Sequence, residues 1–193
     1  FDAFDEAIRR LPLSTGELEE TRARGSEFLA GWHEARKASF VRDARMEYRI
    51  TTELPLDDSP VSAVRLRGDL DKMEMLAEGV RVIDYKTGKP KTRNAIMGLT
   101  KSDDGGYWRQ LVFYKMLLEL EGKYRFKEAS LEFIQPDTKG CFHHESFDVS
   151  DKDVSEIKET IARAAHEIYE LTFWDMRCEQ KECEYCRLRD LMG

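Results

Sequence analysis

Long hydrophobic runs are missing from this chain of 193 residues. No apolar stretch approaches the roughly 18 residues that a membrane span needs, and no signal-peptide pattern stands at the start. Internal repeats and low-complexity segments are absent too. With 36% charged and 41% hydrophobic residues, the composition is typical of a folded domain and not of a disordered tail. The sequence therefore predicts a cytoplasmic protein with no membrane partner.

A nucleotide-binding loop of the form Gly-x-x-x-x-Gly-Lys-Ser/Thr is also missing, so the chain lacks the usual phosphate site of an ATPase. Basic residues are fewer than acidic ones, 31 against 38, which gives a formal net charge of −7. A negative total argues against nucleic-acid binding as a first hypothesis. It does not exclude such binding, because contacts to phosphates are local.

Hydrophobic spacing predicts an α/β chain with a mixed central sheet flanked by helices. Five strands are predicted by alternating apolar and polar residues or short apolar runs, at 46–52, 64–70, 80–86, 129–135 and 141–149. Helical spacing predicts four helices, at 1–11, 15–40, 107–120 and from 151 onward. A Ser14–Glu17 capping box begins the second helix, and apolar residues from Val154 to Leu171 face inward in the last. The polar segment 89–106 is predicted to be a long loop.

Charged side chains converge where the third predicted strand ends. Residues two apart on a strand point to the same face, so Asp84 and Lys86 project together. If the preceding strand pairs with this one, Asp71 reaches the same side. Two carboxylates and one ammonium then share a small volume.

This set of groups suits the hydrolysis of a phosphodiester bond. Mg²⁺ and Mn²⁺ are held by oxygen ligands, often only one or two carboxylates, and Asp71, Asp84 and the backbone carbonyl of Tyr85 would supply them. Such a metal polarises the phosphodiester and activates water. Lys86 would orient or deprotonate the attacking water and offset the charge that builds on the phosphate.

An Asp-x-Lys sequence at a strand end is more commonly an ordinary solvated ion pair. Two details favour the functional interpretation. Asp84 directly follows the apolar pair 82–83, where burial of a carboxylate without a purpose is costly. It also belongs to a joint pattern with Asp71, Lys86 and the helical segment 110–114, which chance produces far less often than any single member.

The motifs resemble those of the PD-(D/E)XK nuclease superfamily, specifically its RecB-like nuclease domains. They are Gly-x-x-Asp at 68–71, Ile-Asp-Tyr-Lys-Thr-Gly at 83–88 and Gln-x-x-x-Tyr at 110–114. The resemblance implies a restriction-endonuclease-like core and a Mg²⁺- or Mn²⁺-dependent deoxyribonuclease, with exonuclease action favoured. It also implies specific roles: metal ligation by Asp71 and Asp84, catalysis by Lys86, and contacts to the active site and DNA by Gln110 and Tyr114.

By the same resemblance, residues 1–193 form one nuclease domain. Its parts are the N-terminal helices at 1–43, the catalytic core at 44–149, and a C-terminal helix with a cysteine-containing tail at 150–193. The helical pattern begins at Phe1 without a capping residue, which predicts a fragment of a larger helicase–nuclease. The partners expected are DNA and a helicase motor domain.

Relatives usually add a metal-binding His on a helix well before the first strand. His33 is the only upstream His and is kept as an alternative ligand. The stretch 25–40 resembles a later helix of the family, so the family His is expected before Phe1, and His33 is expected to be a partly buried helix residue.

A basic segment follows the catalytic strand. No acidic residue lies between Asp84 and Asp103. Five cations lie there: Lys86, Lys89, Lys91, Arg93 and Lys101. The last four would bind the DNA backbone, although a merely solvated loop is an equally common outcome for such a charge run.

Three of the four cysteines, Cys178, Cys183 and Cys186, are spaced C-x4-C-x2-C near the end of the chain. A cytosolic location favours metal binding over disulfides. The alternatives are an iron–sulfur cluster of the kind that RecB-like relatives often hold, a Zn²⁺ site, and buried thiols. Cys141 is the candidate fourth ligand.

The sequence thus predicts a metal-dependent DNA nuclease that belongs to a helicase–nuclease of DNA repair. Two alternatives remain open. One is a free-standing exonuclease of the same superfamily, of the CRISPR-adaptation type. The other is a catalytically silent DNA-binding or structural module of the same fold.

Overall fold

The computed structural model describes residues 2–57, 60–172, 176, 178–179 and 183–192. Its strands are β1 (Ala44–Pro55), β2 (Ala63–Leu76), β3 (Gly79–Lys86), β4 (Phe126–Phe133) and β5 (His144–Phe147). Its helices are α1 (Asp2–Arg9), α2 (Thr15–Arg36), α3 (Arg93–Ile96), α4 (Gly106–Glu121), α5 (Asp151–Tyr169) and α6 (Glu184–Met192), with a 3-10 turn at Lys37–Ser39. No helix in the described ranges is long and apolar enough to span a membrane.

The strands form one mixed sheet in the order β1-β2-β3-β4-β5. Neighbouring strands are antiparallel except β3 and β4, which run parallel and are joined by the connection that contains α4. This confirms the predicted mixed sheet flanked by helices.

The hydrophobic core lies between the sheet and α4. Its completely buried members come from both layers: Ile50, Leu70, Met73, Val82, Ala129, Leu131 and Phe133 from the strands, and Leu111, Met116, Leu117 and Leu118 from α4. Each such side chain contributes roughly 1.5–3 kcal/mol relative to an exposed position. α4 is therefore held firmly against the sheet, which places its Gln110 and Tyr114 side chains beside the charged residues at the end of β3.

A backbone irregularity lies beside Asp71. The β1–β2 register pairs Tyr48 with Leu70 and Met46 with Lys72, and leaves Glu47 without a regular partner. Glu47 has φ of 50°, in the left-handed region. Leu70 and Met73 both enter the same core, although their odd spacing would place them on opposite faces of a regular strand. The face that β2 presents to the core therefore changes at Asp71.

Gly68 allows α4 to approach β2 closely. A Cβ at this position would lie 2.4 Å from Leu117 Cδ1, and Leu117 is completely buried. Gly68→Ala is therefore expected to lower the free energy of unfolding by about 1–3 kcal/mol through overpacking, measured by urea denaturation. Gly88→Ala is the matched control, because an added Cβ there meets no atom within 4 Å. Equal stability of the two variants would contradict the close packing.

Several element limits differ from the sequence predictions. α2 begins with the predicted capping box of Ser14 and Glu17, but it ends at Arg36 and not near 40. The predicted strand 141–149 is reduced to β5, and the loop 89–106 contains the short helix α3, whose first turn is capped by Thr92. Phe1, which opens the first helical pattern, lies outside the described residues.

The prediction that α5 faces inward along its whole length is wrong. Val154 is buried, and Ile157 and Ile161 pack partly against the core. Ile168 and Leu171 are 63% and 55% exposed. Helical periodicity marks an apolar stripe but not the length of the surface that covers it, and α5 extends beyond that surface.

Candidate active site

Four side chains from β3 and α4 form one hydrogen-bonded group. Lys86 Nζ lies 2.6 Å from Asp84 Oδ2 and donates a hydrogen bond to Gln110 Oε1 at 2.6 Å. Gln110 Nε2 donates to Tyr114 Oη at 2.7 Å. Tyr114 Oη donates to Asp84 Oδ1 at 3.0 Å. Gln110 and Tyr114 are one helical turn apart, so both face the strand, and the group closes on itself.

Asp71 joins this group from β2. The last registered pair of the β2–β3 ladder is Lys72 with Ile83, so Asp71 and Asp84 are the next residues on the two strands. Asp71 Oδ2 accepts a hydrogen bond from the backbone N–H of Tyr85 at 2.8 Å. The structure thus brings together Asp71, Asp84, Lys86, Gln110 and Tyr114, as the sequence predicted for the end of β3.

Burial dominates the electrostatics of Asp84, which is 2% exposed. Desolvation raises the pKa of its carboxyl, and the negative charge of Asp71 adds to this rise, while the Lys86 ammonium and the Tyr114 hydroxyl oppose it. Burial also raises the pKa of the Tyr114 hydroxyl, with the Asp84 charge as the next cause. Tyr114 therefore stays protonated and acts as a donor.

The carboxylates fit a divalent cation. Asp84 Oδ2 is buried, and the Lys86 ammonium is its charged partner at 2.6 Å. The negative charge of Asp71 raises the pKa of Asp84, so a cation held by both carboxylates would offset the repulsion between them. Together, Asp71 and Asp84 offer the two hard oxygen ligands that Mg²⁺ or Mn²⁺ accepts, with water and substrate oxygens completing the shell.

The structure does not bring His33 to the carboxylate pair. Within the described residues, the single group of three or more His, Cys, Asp or Glu ligand atoms within 4.8 Å of one another is a cysteine group, without Asp71, Asp84 or His33. His33 is exposed on α2, with its ring 5.7 Å from that of Phe40, and not partly buried as expected. On the opposite face of the sheet, Tyr85 packs edge-on against Trp32.

The four cations of the loop after β3 differ in their contacts. Lys91 is paired with Asp103. Arg93 donates to the carbonyl of Ser146 at 2.9 Å, and its guanidinium lies 4.2 Å from the centre of the Phe147 ring. Lys89 and Lys101 are exposed. These two cations therefore extend into solvent beside the site.

The three C-terminal cysteines meet in the structure. The Sγ atoms of Cys178, Cys183 and Cys186 lie within 4.8 Å of one another, with Cys178 and Cys186 3.6 Å apart. The backbone N–H of Cys186 is the largest cause that lowers the pKa of the Cys183 thiol, and the Cys178 thiol adds to it. Cys141 is exposed and does not belong to this group.

Sequence analysis missed one aromatic residue of the site. The Tyr107 ring centre lies 4.4 Å from Lys86 Nζ and 4.7 Å from Lys91 Nζ. Tyr107 lies three residues before Gln110 and therefore on the same face of α4. This spacing could have predicted its place in the site from the sequence.

Comparison with known proteins supports the motif assignment. A search of curated proteins finds no match to this chain. A solved structure described as "Crystal structure of SSO0001" is 18% identical, covers 90% of this chain and 68% of that chain, and has a TM-score of 0.46. A family model described as the PD-(D/E)XK nuclease superfamily matches residues 2–191. With its restriction-endonuclease-like sheet and helices, this chain belongs to the PD-(D/E)XK nuclease superfamily, as its motifs predicted.

Proposed function

We propose that the protein is a Mg²⁺- or Mn²⁺-dependent DNA nuclease of the RecB-like type, with exonuclease action favoured. The observation that carries the proposal is that two carboxylates, Asp71 and Asp84, meet beside the Lys86 ammonium at the end of β3. An isolated Asp–Lys ion pair needs no second carboxylate. A site that holds a cation between carboxylates and a phosphate does.

Each side chain of the candidate active site would have a distinct task. Asp84 and Asp71 would hold the cation, with the carbonyl of Tyr85 as the proposed third oxygen. When bound, the cation supplies the polarisation of the phosphodiester and an activated water. Lys86 would orient that water and stabilise the negative charge that builds on the phosphate. Gln110 and Tyr114 fix Lys86 and Asp84 in place.

The overall reaction is hydrolysis. The water oxygen forms a bond to phosphorus, the bond from phosphorus to one ester oxygen breaks, and that oxygen leaves with a proton. Lys89 and Lys101 are proposed to hold the DNA backbone at the entrance. A helicase motor in the same chain or complex, a role in DNA repair, and a cytoplasmic location are proposed with this function.

The cysteine group is proposed as a second metal site. Three thiols within 4.8 Å of one another supply three of the four ligands that an iron–sulfur cluster or a structural Zn²⁺ needs. The lowered pKa of the Cys183 thiol favours the thiolate form that binds metal.

The alternative function is a catalytically silent DNA-binding module of the same fold. In the described residues, Asp71 and Asp84 do not form a group of three or more His, Cys, Asp or Glu ligand atoms within 4.8 Å of one another. The test compares cleavage of linear DNA with Mg²⁺, with Mn²⁺ and with EDTA, for the unmodified protein and Asp84→Asn. Metal-dependent cleavage that Asp84→Asn abolishes supports the nuclease. DNA binding without cleavage by either protein supports the silent module.

The raised pKa of Asp84 predicts proton competition with the metal. Lowering the pH protonates a growing share of this carboxyl, and because burial raises its pKa, this begins at a higher pH than for an exposed aspartate. Affinity for Mn²⁺, measured by titration calorimetry, is expected to fall as the pH is lowered, with release of protons on binding. An affinity independent of pH would contradict ligation by Asp84.

A further inference from the structure

A single aromatic ring contacts both the lysine of the active site and the loop that follows it. Lys86 Nζ lies 4.4 Å and Lys91 Nζ 4.7 Å from the centre of the Tyr107 ring. Both distances are within the roughly 6 Å of a cation–π contact. Lys91 is paired in turn with Asp103. A chain of contacts therefore runs from Asp103 through Lys91 and Tyr107 to Lys86.

The ring completes the surroundings of the Lys86 ammonium. Asp84 Oδ2 and Gln110 Oε1 each lie 2.6 Å from Nζ. Asp84 lies on β3, and Gln110 lies in the middle of α4. Tyr107 adds a third contact from the first turn of α4. A flexible lysine stem held by three different groups keeps its ammonium in one place.

The ring, and not the hydroxyl, makes these contacts. In the described part of the chain the Tyr107 hydroxyl has no hydrogen-bond partner, whereas the hydroxyl of Tyr114 has three polar neighbours. The negative face of the ring attracts cations irrespective of the hydroxyl. Removal of the hydroxyl should therefore have little effect, and removal of the ring a large one.

We propose that Tyr107 is a positioning residue that holds Lys86 for catalysis and ties the loop after β3 to the active site. Lys91 acts as the second cation on this ring and not as a contact to DNA. The catalytic part of this inference rests on the proposed nuclease function. Its structural part, the fixation of Lys86 by the ring, does not.

The competing explanation is that Tyr107 only packs. Its ring also contacts Phe133, at 6.4 Å between centres, and Tyr107 lies partly buried against the core. Leucine preserves apolar packing without a π face, and phenylalanine preserves the π face without the hydroxyl. Trp108→Leu is the matched control, because Trp108 packs on Phe147 at 5.7 Å and makes no cation–π contact in the described residues.

Cleavage kinetics test the catalytic part. Tyr107→Leu is expected to lower kcat about 5- to 30-fold with little change in KM, since it disturbs the reacting group more than DNA binding. Tyr107→Phe should restore kcat to within about two-fold of the unmodified protein. Equal kcat for Tyr107→Leu and Trp108→Leu would overturn the positioning role.

A spectroscopic measurement tests the structural part without any cleavage. In protein labelled with ¹³C at lysine Cε, the Lys86 signal, assigned through Lys86→Arg, is expected to be shifted upfield by the ring. The shift should persist in Tyr107→Phe and disappear in Tyr107→Leu. An unchanged Lys86 signal in Tyr107→Leu would overturn the inference. If the unmodified protein does not cleave DNA, the proposed function fails, and this measurement still decides the inference.

Lys91→Met separates the two roles of Lys91 and serves if Tyr107→Leu does not fold. Lys91→Met is expected to lower kcat as Tyr107→Leu does. The double variant of Lys91→Met with Tyr107→Leu should have the same kcat as Tyr107→Leu alone. The opposite result is an unchanged kcat with a weaker salt dependence of DNA binding, in which the slope of log binding constant against log salt concentration falls by about one. That result would assign Lys91 to a phosphate contact and overturn the proposal.

Discussion

Replacement of Lys86 by methionine is expected to lower the rate of DNA cleavage by about 10²- to 10⁴-fold, the range for loss of a catalytic acid–base or charge-stabilising group. Methionine preserves most of the length of the side chain but removes the ammonium that lies 2.6 Å from both Asp84 Oδ2 and Gln110 Oε1. The measurement is single-turnover cleavage at saturating metal.

Lys72→Met is the matched control for this prediction. Lys72 is also a buried lysine paired with a carboxylate, Glu74, at 2.7 Å, but it belongs to the opposite face of the sheet, with its ammonium over the Phe40 ring. Its replacement should lower stability and leave the cleavage rate of the folded protein near that of the unmodified chain. Unchanged cleavage in Lys86→Met would remove Lys86 from the mechanism.

Glu74→Ala is expected to lower the free energy of unfolding by about 3–5 kcal/mol, as is typical when one member of a buried ion pair is removed. Glu74 is 2% exposed and contacts two cations, Lys72 at 2.7 Å and Arg81 at 3.2 Å. Its loss leaves the Lys72 ammonium buried without a carboxylate partner. Urea denaturation near neutral pH measures the change.

Two further variants test whether burial of the ion pair causes the expected loss of stability. Glu78→Ala removes a carboxylate that is 72% exposed and paired with Lys127, so only a small change in the free energy of unfolding is expected. The double variant Glu74→Ala with Lys72→Met removes both buried charges and should be more stable than Glu74→Ala alone. If Glu74→Ala lowers the free energy of unfolding no more than Glu78→Ala does, the burial of the Glu74–Lys72 pair has no energetic consequence.

The local part of the site could be predicted from the sequence. Strand alternation places Asp84 and Lys86 on one face, and helical spacing places Gln110 and Tyr114 on one side of α4. These relations depend on a few residues of backbone geometry. The same holds for the capping box of α2, which forms as predicted.

Contacts between distant segments could not be predicted in this way. The pairing of Lys91 with Asp103, and of Arg93 with Glu145 and the carbonyl of Ser146, depends on how the loop after β3 folds back. A count of charges along the sequence treats each of these cations as available to DNA. The contacts of the Tyr107 ring with two lysines are likewise a property of the packed structure.

One hydrogen bond of the sheet affects how fast a single amide hydrogen exchanges for deuterium from the solvent. The amide hydrogen of Tyr85 is held by the Asp71 carboxylate and not by a backbone carbonyl. Protection of most sheet amides against deuterium exchange depends on the backbone alone, whereas protection of this one depends on a side chain. Loss of that carboxylate by substitution therefore speeds exchange at a single amide within a strand whose other amides stay protected. The backbone of β3 thus carries its own reporter of whether the Asp71 carboxylate is in place.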